Sequence, residues 1–188
     1  MNFGVVRALI AEGGTLQRIR RSLGYAFLIL ITLAAYPEFA YAQSAMGYAT
    51  GGPSAVRNIG IRDEAWQVGA GGELLKGPFG FGGQIDYVHF PEVTKISNGR
   101  ITASSPAASA VGVSATASYH FDGTAVERRT RPFATAGVTG LAGDEVSPIL
   151  LQLAAGVDWW ASERAGLRLE VRGQAPSMLG VRVGFVFR

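Results

Sequence analysis

From residue 44 onward the chain alternates between apolar and polar side chains with a period of two. The clearest stretch is residues 109–121. Val111, Val113, Ala115, Ala117, Tyr119 and Phe121 fall on one face, and Gly112, Ser114, Thr116, Ser118 and His120 on the other. Successive side chains of a strand point to opposite faces, whereas a helix repeats every 3.6 residues. The segment therefore reads as a strand with one greasy and one polar side.

The pattern recurs along the chain. In residues 65–75, Trp66, Val68, Ala70 and Leu74 alternate with Gln67, Gly69, Gly71 and Glu73. In 79–90, Phe81, Ile85 and Tyr87 oppose Gly82, Gln84 and Asp86. In 149–160, Leu151, Leu153, Ala155, Val157 and Trp159 oppose Gln152, Gly156 and Asp158. In 166–172, Leu167, Leu169 and Val171 oppose Arg168, Glu170 and Arg172. In 179–187, Val181, Val183, Phe185 and Phe187 oppose Gly180, Arg182 and Gly184. Residues 132–140 form a further strand whose facing the alternation does not assign. Residues 44–52 are the weakest strand signal, placed partly because an even count is expected. No apolar run after residue 43 reaches the roughly 20 residues of a membrane-spanning helix, but these segments approach the length of a tilted membrane strand.

Eight strands need seven connections. Residues 76–78, 122–131 and 161–165 make one set, and 53–64, 91–108, 141–148 and 173–178 the other. Short turns at one end and longer loops at the other are the outer-membrane rule, which 141–148 and 173–178 follow poorly. Aromatic positions sort by end as well. Phe79, Phe81, Tyr119, Phe121, Phe133, Trp159, Trp160, Phe185 and Phe187 all fall at the rim that holds the turns, as a periplasmic aromatic girdle would. Trp66 and Tyr87 lie toward the other rim.

Periodicity does not say which face is inside, but side-chain type does. The polar face is rich in Gly, Ser, Thr and Gln, with isolated charges of both signs: Glu73, Asp86, Asp158, Arg168, Glu170, Arg172 and Arg182. A solvated sheet would carry more Lys and Glu. A crowded lumen needs small residues, and its buried charges need partners of opposite sign. Glu73, Gln84, Asp86, His120, Gln152, Asp158, Arg168, Glu170, Arg172 and Arg182 are accordingly expected to form a hydrogen-bonded lumen network. The expected fold is all-β: an eight-stranded antiparallel up-and-down transmembrane barrel. Closure is required because an open sheet edge in lipid leaves backbone groups unsatisfied.

Four stretches carry a resemblance to a known family. They are GVDWWASERAGLRLEVR at 156–172, VGAGGELLKGPFGFGGQIDYV at 68–88, SYHF at 118–121 and RPFATAGV at 131–138. Together they resemble the bacterial outer-membrane β-barrel domain family, the OmpA/OmpX-like small barrels, over essentially all of residues 43–188. The resemblance implies eight antiparallel strands and insertion by the barrel assembly machinery, which reads a final strand ending in an aromatic. Val181, Val183, Phe185 and Phe187 match that signal, and Arg188 after the aromatic departs from it.

Residues 1–42 read as an export signal. Arg18, Arg20 and Arg21 precede an apolar run over 23–36, and Ala40-Tyr41-Ala42 supplies a small-x-small cleavage site. Cleavage after Ala42 leaves 43–188 as the barrel domain and places the protein in the cell outer membrane. Four of the 17 basic and two of the 14 acidic residues fall in the leader, so the remainder carries a net charge of only +1. The basic character is therefore no argument for nucleic-acid binding. The chain has no cysteine, which excludes disulfides, thiolate metal sites and a lipoprotein anchor at this cleavage point.

Candidate chemistry is sparse. Gly69, Gly71 and Gly72, like Gly80, Gly82 and Gly83, precede no helix and so lack phosphate-loop geometry. His89 and His120 are the only histidines, too few for a His-rich metal site, and no cofactor is expected. Ser118 and His120 share a face, which would suit a lipid hydrolase, but they face the lumen rather than lipid. Asp158, Glu170 and Glu73 alternate with arginines, as an ion-pair network does. Glu127, Arg128, Arg129 and Arg131 form a basic turn that could meet lipid phosphates, and Arg57, Lys95 and Arg100 could meet lipopolysaccharide. The leading expectation is a monomeric, non-enzymatic barrel whose loops 53–64 and 91–108 engage other surfaces. A lipid-modifying enzyme and a narrow conduit or small-molecule carrier are the alternatives.

Overall fold

The computed structural model describes residues 44–57, 63–97, 100–121, 129–143 and 149–188. The expected export signal and cleavage site lie outside them. The described residues form ten strands: β1 (Ser44–Val56), β2 (Glu64–Lys76), β3 (Phe79–Phe90), β4 (Val93–Ser97), β5 (Arg100–Ser105), β6 (Ala108–His120), β7 (Thr130–Gly143), β8 (Ile149–Trp160), β9 (Ala165–Ala175) and β10 (Met178–Phe187). Eight of them close into an antiparallel barrel in the order β1-β10-β9-β8-β7-β6-β3-β2, and β4 with β5 makes a separate hairpin. Pairing of Gly47 with Phe187 through Val56 with Met178 seals the first strand to the last.

β3 and β8 keep their expected bounds, β6 is displaced by one residue, and the other strands exceed theirs, mostly at the end opposite the chain termini. β1 continues through Gly51, Gly52 and Pro53, residues that ordinarily end a strand. It does so because its other edge pairs without interruption to β2 from Ser44 to Ala55. The ladder to β10 omits Gly52 and Pro53, as it must where a proline has no N–H to donate. β7 runs to Gly143 and β9 to Ala175, so the loops expected at 141–148 and 173–178 are shorter still. The first turn is tight: Gly77, at a φ of 62°, takes the left-handed conformation that glycine adopts at least cost.

The distribution of side chains is inverted relative to a water-soluble protein. Leu153 and Phe185 are 66% and 67% exposed on the outer face, among a continuous set of outward valines, leucines, isoleucines and aromatics. Arg168 and Arg182 are 1% and 0% exposed inside. An apolar belt outside and charges inside is stable only if the belt meets hydrocarbon. The barrel is therefore a transmembrane one, with the β2–β3, β6–β7 and β8–β9 connections at one end (the turn end) and the β1–β2, β3–β6, β7–β8 and β9–β10 connections at the other (the loop end).

The placements of Phe133, Trp160 and Arg131 differ from the sequence expectation. Phe133 and Trp160 are not part of an outer aromatic rim; both are buried on the inner face. Arg131 is not a turn residue: β7 begins at Thr130, which carries Arg131 inward to 5% exposure. Starting that strand at Pro132 had hidden the facing, because Arg131, Phe133, Thr139 and Leu141 occupy the inward positions. Glu127 and Arg128 lie outside the described residues. The outward aromatics Phe79, Phe81, Tyr119, Phe121, Trp159, Phe185 and Phe187 all sit on the outer face toward the turn end. Phe79, Tyr119 and Phe121 are linked there by edge-to-face contacts at 5.3 and 5.1 Å.

Candidate functional site: a filled lumen and a projecting hairpin

An eight-stranded barrel is just wide enough for side chains to fill it. The filling is layered. At the turn end Met46, Tyr48, Leu75, Trp160 and Val186 form an apolar cluster, and at the loop end Val56, Ala65, Val88, Phe90, Ala110, Leu141, Leu150 and Met178 form another. Between them lie three polar layers containing all ten residues expected in the lumen.

The layer nearest the turn end is built on Arg168. Its Nε and Nη2 donate to the two oxygens of Asp158 at 2.7 and 3.0 Å, and Nη1 reaches Glu73 Oε1 at 3.4 Å. The guanidinium lies between the rings of Tyr48 and Phe133, 4.3 Å from each centroid. A planar cation can be held edge-on by a carboxylate and face-on by aromatics at once, which Lys could not reproduce. Glu73 Oε2 accepts from Ser118 Oγ at 2.5 Å and His120 Nε2 at 2.9 Å.

This last trio does not have the geometry of a nucleophilic triad. A nucleophilic triad places serine on one imidazole nitrogen and the acid on the other. Here Nε2 of His120 faces both Glu73 and, at 3.4 Å, Ser118, while Nδ1 has no partner. The serine proton goes to the carboxylate, so the histidine does not activate it. On the lipid-facing side, His89 Nδ1 lies 3.3 Å from Ser109 Oγ, which Tyr87 also engages at 2.7 Å. No carboxylate pairs with His89 among the described residues. No cluster of three or more metal-ligating side chains occurs among the described residues.

The middle layer centres on Asp86. Arg182 Nη2 donates to Oδ1 at 2.6 Å, Gln84 Nε2 to the same oxygen at 2.6 Å, and Arg172 Nη1 to Oδ2 at 3.3 Å. Arg172 Nη2 donates to Gln84 Oε1 at 2.7 Å. It also lies 2.7 Å from Glu170 Oε1, near enough for ionic attraction but poorly angled for a hydrogen bond. Arg182 Nη2 further donates to the Thr50 carbonyl at 3.2 Å. Glycine makes this crowding possible: a Cβ at Gly69 would overlap the Asp86 carboxylate, and one at Gly80 would overlap Ser118 and Glu73. The third layer is neutral. Gln152 Oε1 accepts from Thr139 at 2.7 Å and Ser114 at 3.2 Å, and Gln67 donates to Gln174 at 3.3 Å. Tyr48 and Gln174 join the lumen without a sequence expectation, Gln67 joins it from the polar face on which the alternation puts it, and Phe133 and Arg131 join it instead of the rim and the turn.

Outside the barrel, β4 and β5 form a free-standing hairpin within the loop expected at 91–108. Ile96 faces Ile101 in register, and both are about two-thirds exposed. Lys95 and Arg100 flank them, and Lys95 Nζ reaches Asp63 in the neighbouring loop at 3.5 Å. The hairpin was missed from the sequence although its signal was present. The dipeptide Asn98-Gly99, between VTKIS and RITASS in the sequence, is the strongest short-range hairpin signal.

A closed eight-stranded barrel with an apolar exterior and an ionic interior is the fold of the small outer-membrane β-barrels. Among solved structures it is similar to Neisserial surface protein A (NspA), at a TM-score of 0.54 and 11% identity over 76% of this chain and 96% of that one. It is similar also to the outer membrane protein OprG from Pseudomonas aeruginosa, at a TM-score of 0.53 and 13% identity over 77% of this chain and 95% of that one. At these identities the likeness is one of fold. No protein-family model and no curated protein sequence matches the chain.

Proposed function

We propose that the protein is a non-enzymatic integral protein of the outer membrane, its loop end outward, that engages other surfaces through the β4–β5 hairpin. The observation that carries this reading is the exposed hairpin itself. A two-stranded hairpin is at best marginally stable alone in water, and this one presents an exposed isoleucine pair on strands that pair with no other described strand. An apolar pair flanked by Lys95 and Arg100 suits an amphipathic, anionic partner such as a lipopolysaccharide surface. The filled lumen, apolar at both ends, argues against a conduit, and the two Ser–His geometries argue against hydrolysis.

Replacing residues 93–105 with a short Gly-Ser linker tests it. The variant is expected to fold and stay in the membrane, because β3 and β6 pair directly from Phe79–Tyr119 to Phe90–Ala108. Co-sedimentation of the folded protein with lipopolysaccharide aggregates is expected to fall to background. Undiminished co-sedimentation of the shortened variant would contradict the reading.

A further inference from the structure

One lumen charge is left without a partner. Arg131 is 5% exposed, and none of its three guanidinium nitrogens makes a hydrogen bond. The acid opposite it in register, Asp158, has both oxygens taken by Arg168. The next acid, Glu73, has one oxygen facing Arg168 and the other shared by Ser118 and His120. Two residues beyond Asp158 on the same inner face, Trp160 is 7% exposed with its indole Nε1 also unpartnered. The guanidinium of Arg188 stacks over that indole at 4.2 Å and is felt electrostatically by Arg131. Elsewhere in the lumen the charges are matched. Arg168, Arg172 and Arg182 are each ion-paired with Glu73, Asp86, Asp158 or Glu170.

Buried donors without acceptors are costly, and a guanidinium fork fits the oxygens of a phosphate in bidentate fashion. We propose that the turn-end mouth of the barrel binds a phosphate-type oxyanion, held by the Arg131 fork and the Trp160 indole N–H, with Arg188 as the second cation. Arg131 and Trp160 lie at the turn end of the barrel, so the phosphate comes either from a lipid head group at that rim or from a free phosphate compound. The binding site is separate from the hairpin and does not depend on its role.

The test is calorimetric titration of inorganic phosphate into the mature protein folded in a maltoside detergent, which carries no phosphate, at constant ionic strength in chloride. Saturable binding is expected. Arg131→Gln should weaken it about tenfold or more, as expected for losing charge-assisted hydrogen bonds. Trp160→Phe, which keeps the ring under Arg188 and removes the N–H, should weaken it by a smaller factor, and Arg57→Gln at the opposite end should leave it unchanged. Arg131→Gln removes an unpaired group, so it is expected to fold; Trp160→Phe provides an independent reading if it does not. Repeating the titration in phospholipid bilayers distinguishes the sources. Loss of phosphate binding there identifies the head group as occupant, and retention identifies a free phosphate. No saturable binding in maltoside, or equal binding by Arg131→Gln, overturns the proposal and leaves the mouth filled by water alone.

Discussion

Asp86→Ala is expected to lower the stability of the folded barrel by about 3–5 kcal/mol, the range found when one partner of a buried ion pair is removed. Asp86 accepts from Arg182, Arg172 and Gln84. Its loss leaves two buried arginines facing each other with only Glu170 to offset them. The exposed pair between Lys95 and Asp63 provides the internal contrast. Asp63→Ala is expected to cost no more than about 1 kcal/mol, because solvent screens that pair and side-chain entropy opposes it. Urea unfolding of each variant in the same lipid measures both. Equal effects would mean that the lumen charges are hydrated rather than mutually paired.

A charge placed on the outer face probes the other half of the inverted arrangement. Leu153 lies mid-strand on β8 and is 66% exposed. Leu153→Arg is expected to destabilise the barrel by about 2–4 kcal/mol, as a charge near the bilayer midplane does. Thr94→Arg, on the exposed hairpin, is expected to change stability little. In a water-soluble barrel the Leu153 substitution would be nearly neutral, so the contrast between the two positions separates lipid from water as the outer solvent.

How far the sequence foretells this structure depends on what each feature rests on. Alternation is local, so a strand over 109–121, observed as Ala108–His120, and the facing of Val111, Val113 and His120 are readable from residue order. Facing in lipid follows from residue type, because Gly, Ser and paired charges suit only a crowded interior. Partners are a different matter. Glu73 and His120 stand 47 residues apart. Periodicity places both inside, but only the stagger of β2, β3 and β6 brings them within 2.9 Å. Arg131 escaped because Pro132 looked like a strand start, whereas the inward alternation of β7 extends one residue earlier. Trp160 and Phe133 read as rim residues because they end and begin strands; the alternation of β8 and β7 puts them inside, against Arg188 and Arg168.

The chain closes into a barrel with its apolar face in lipid. Electrophoresis of the folded mature protein with and without boiling, on membranes separated by density, tests it most directly. Faster migration of the unboiled form, recovered with the outer-membrane fraction, is the predicted result. A soluble periplasmic protein whose mobility does not change on boiling would contradict it.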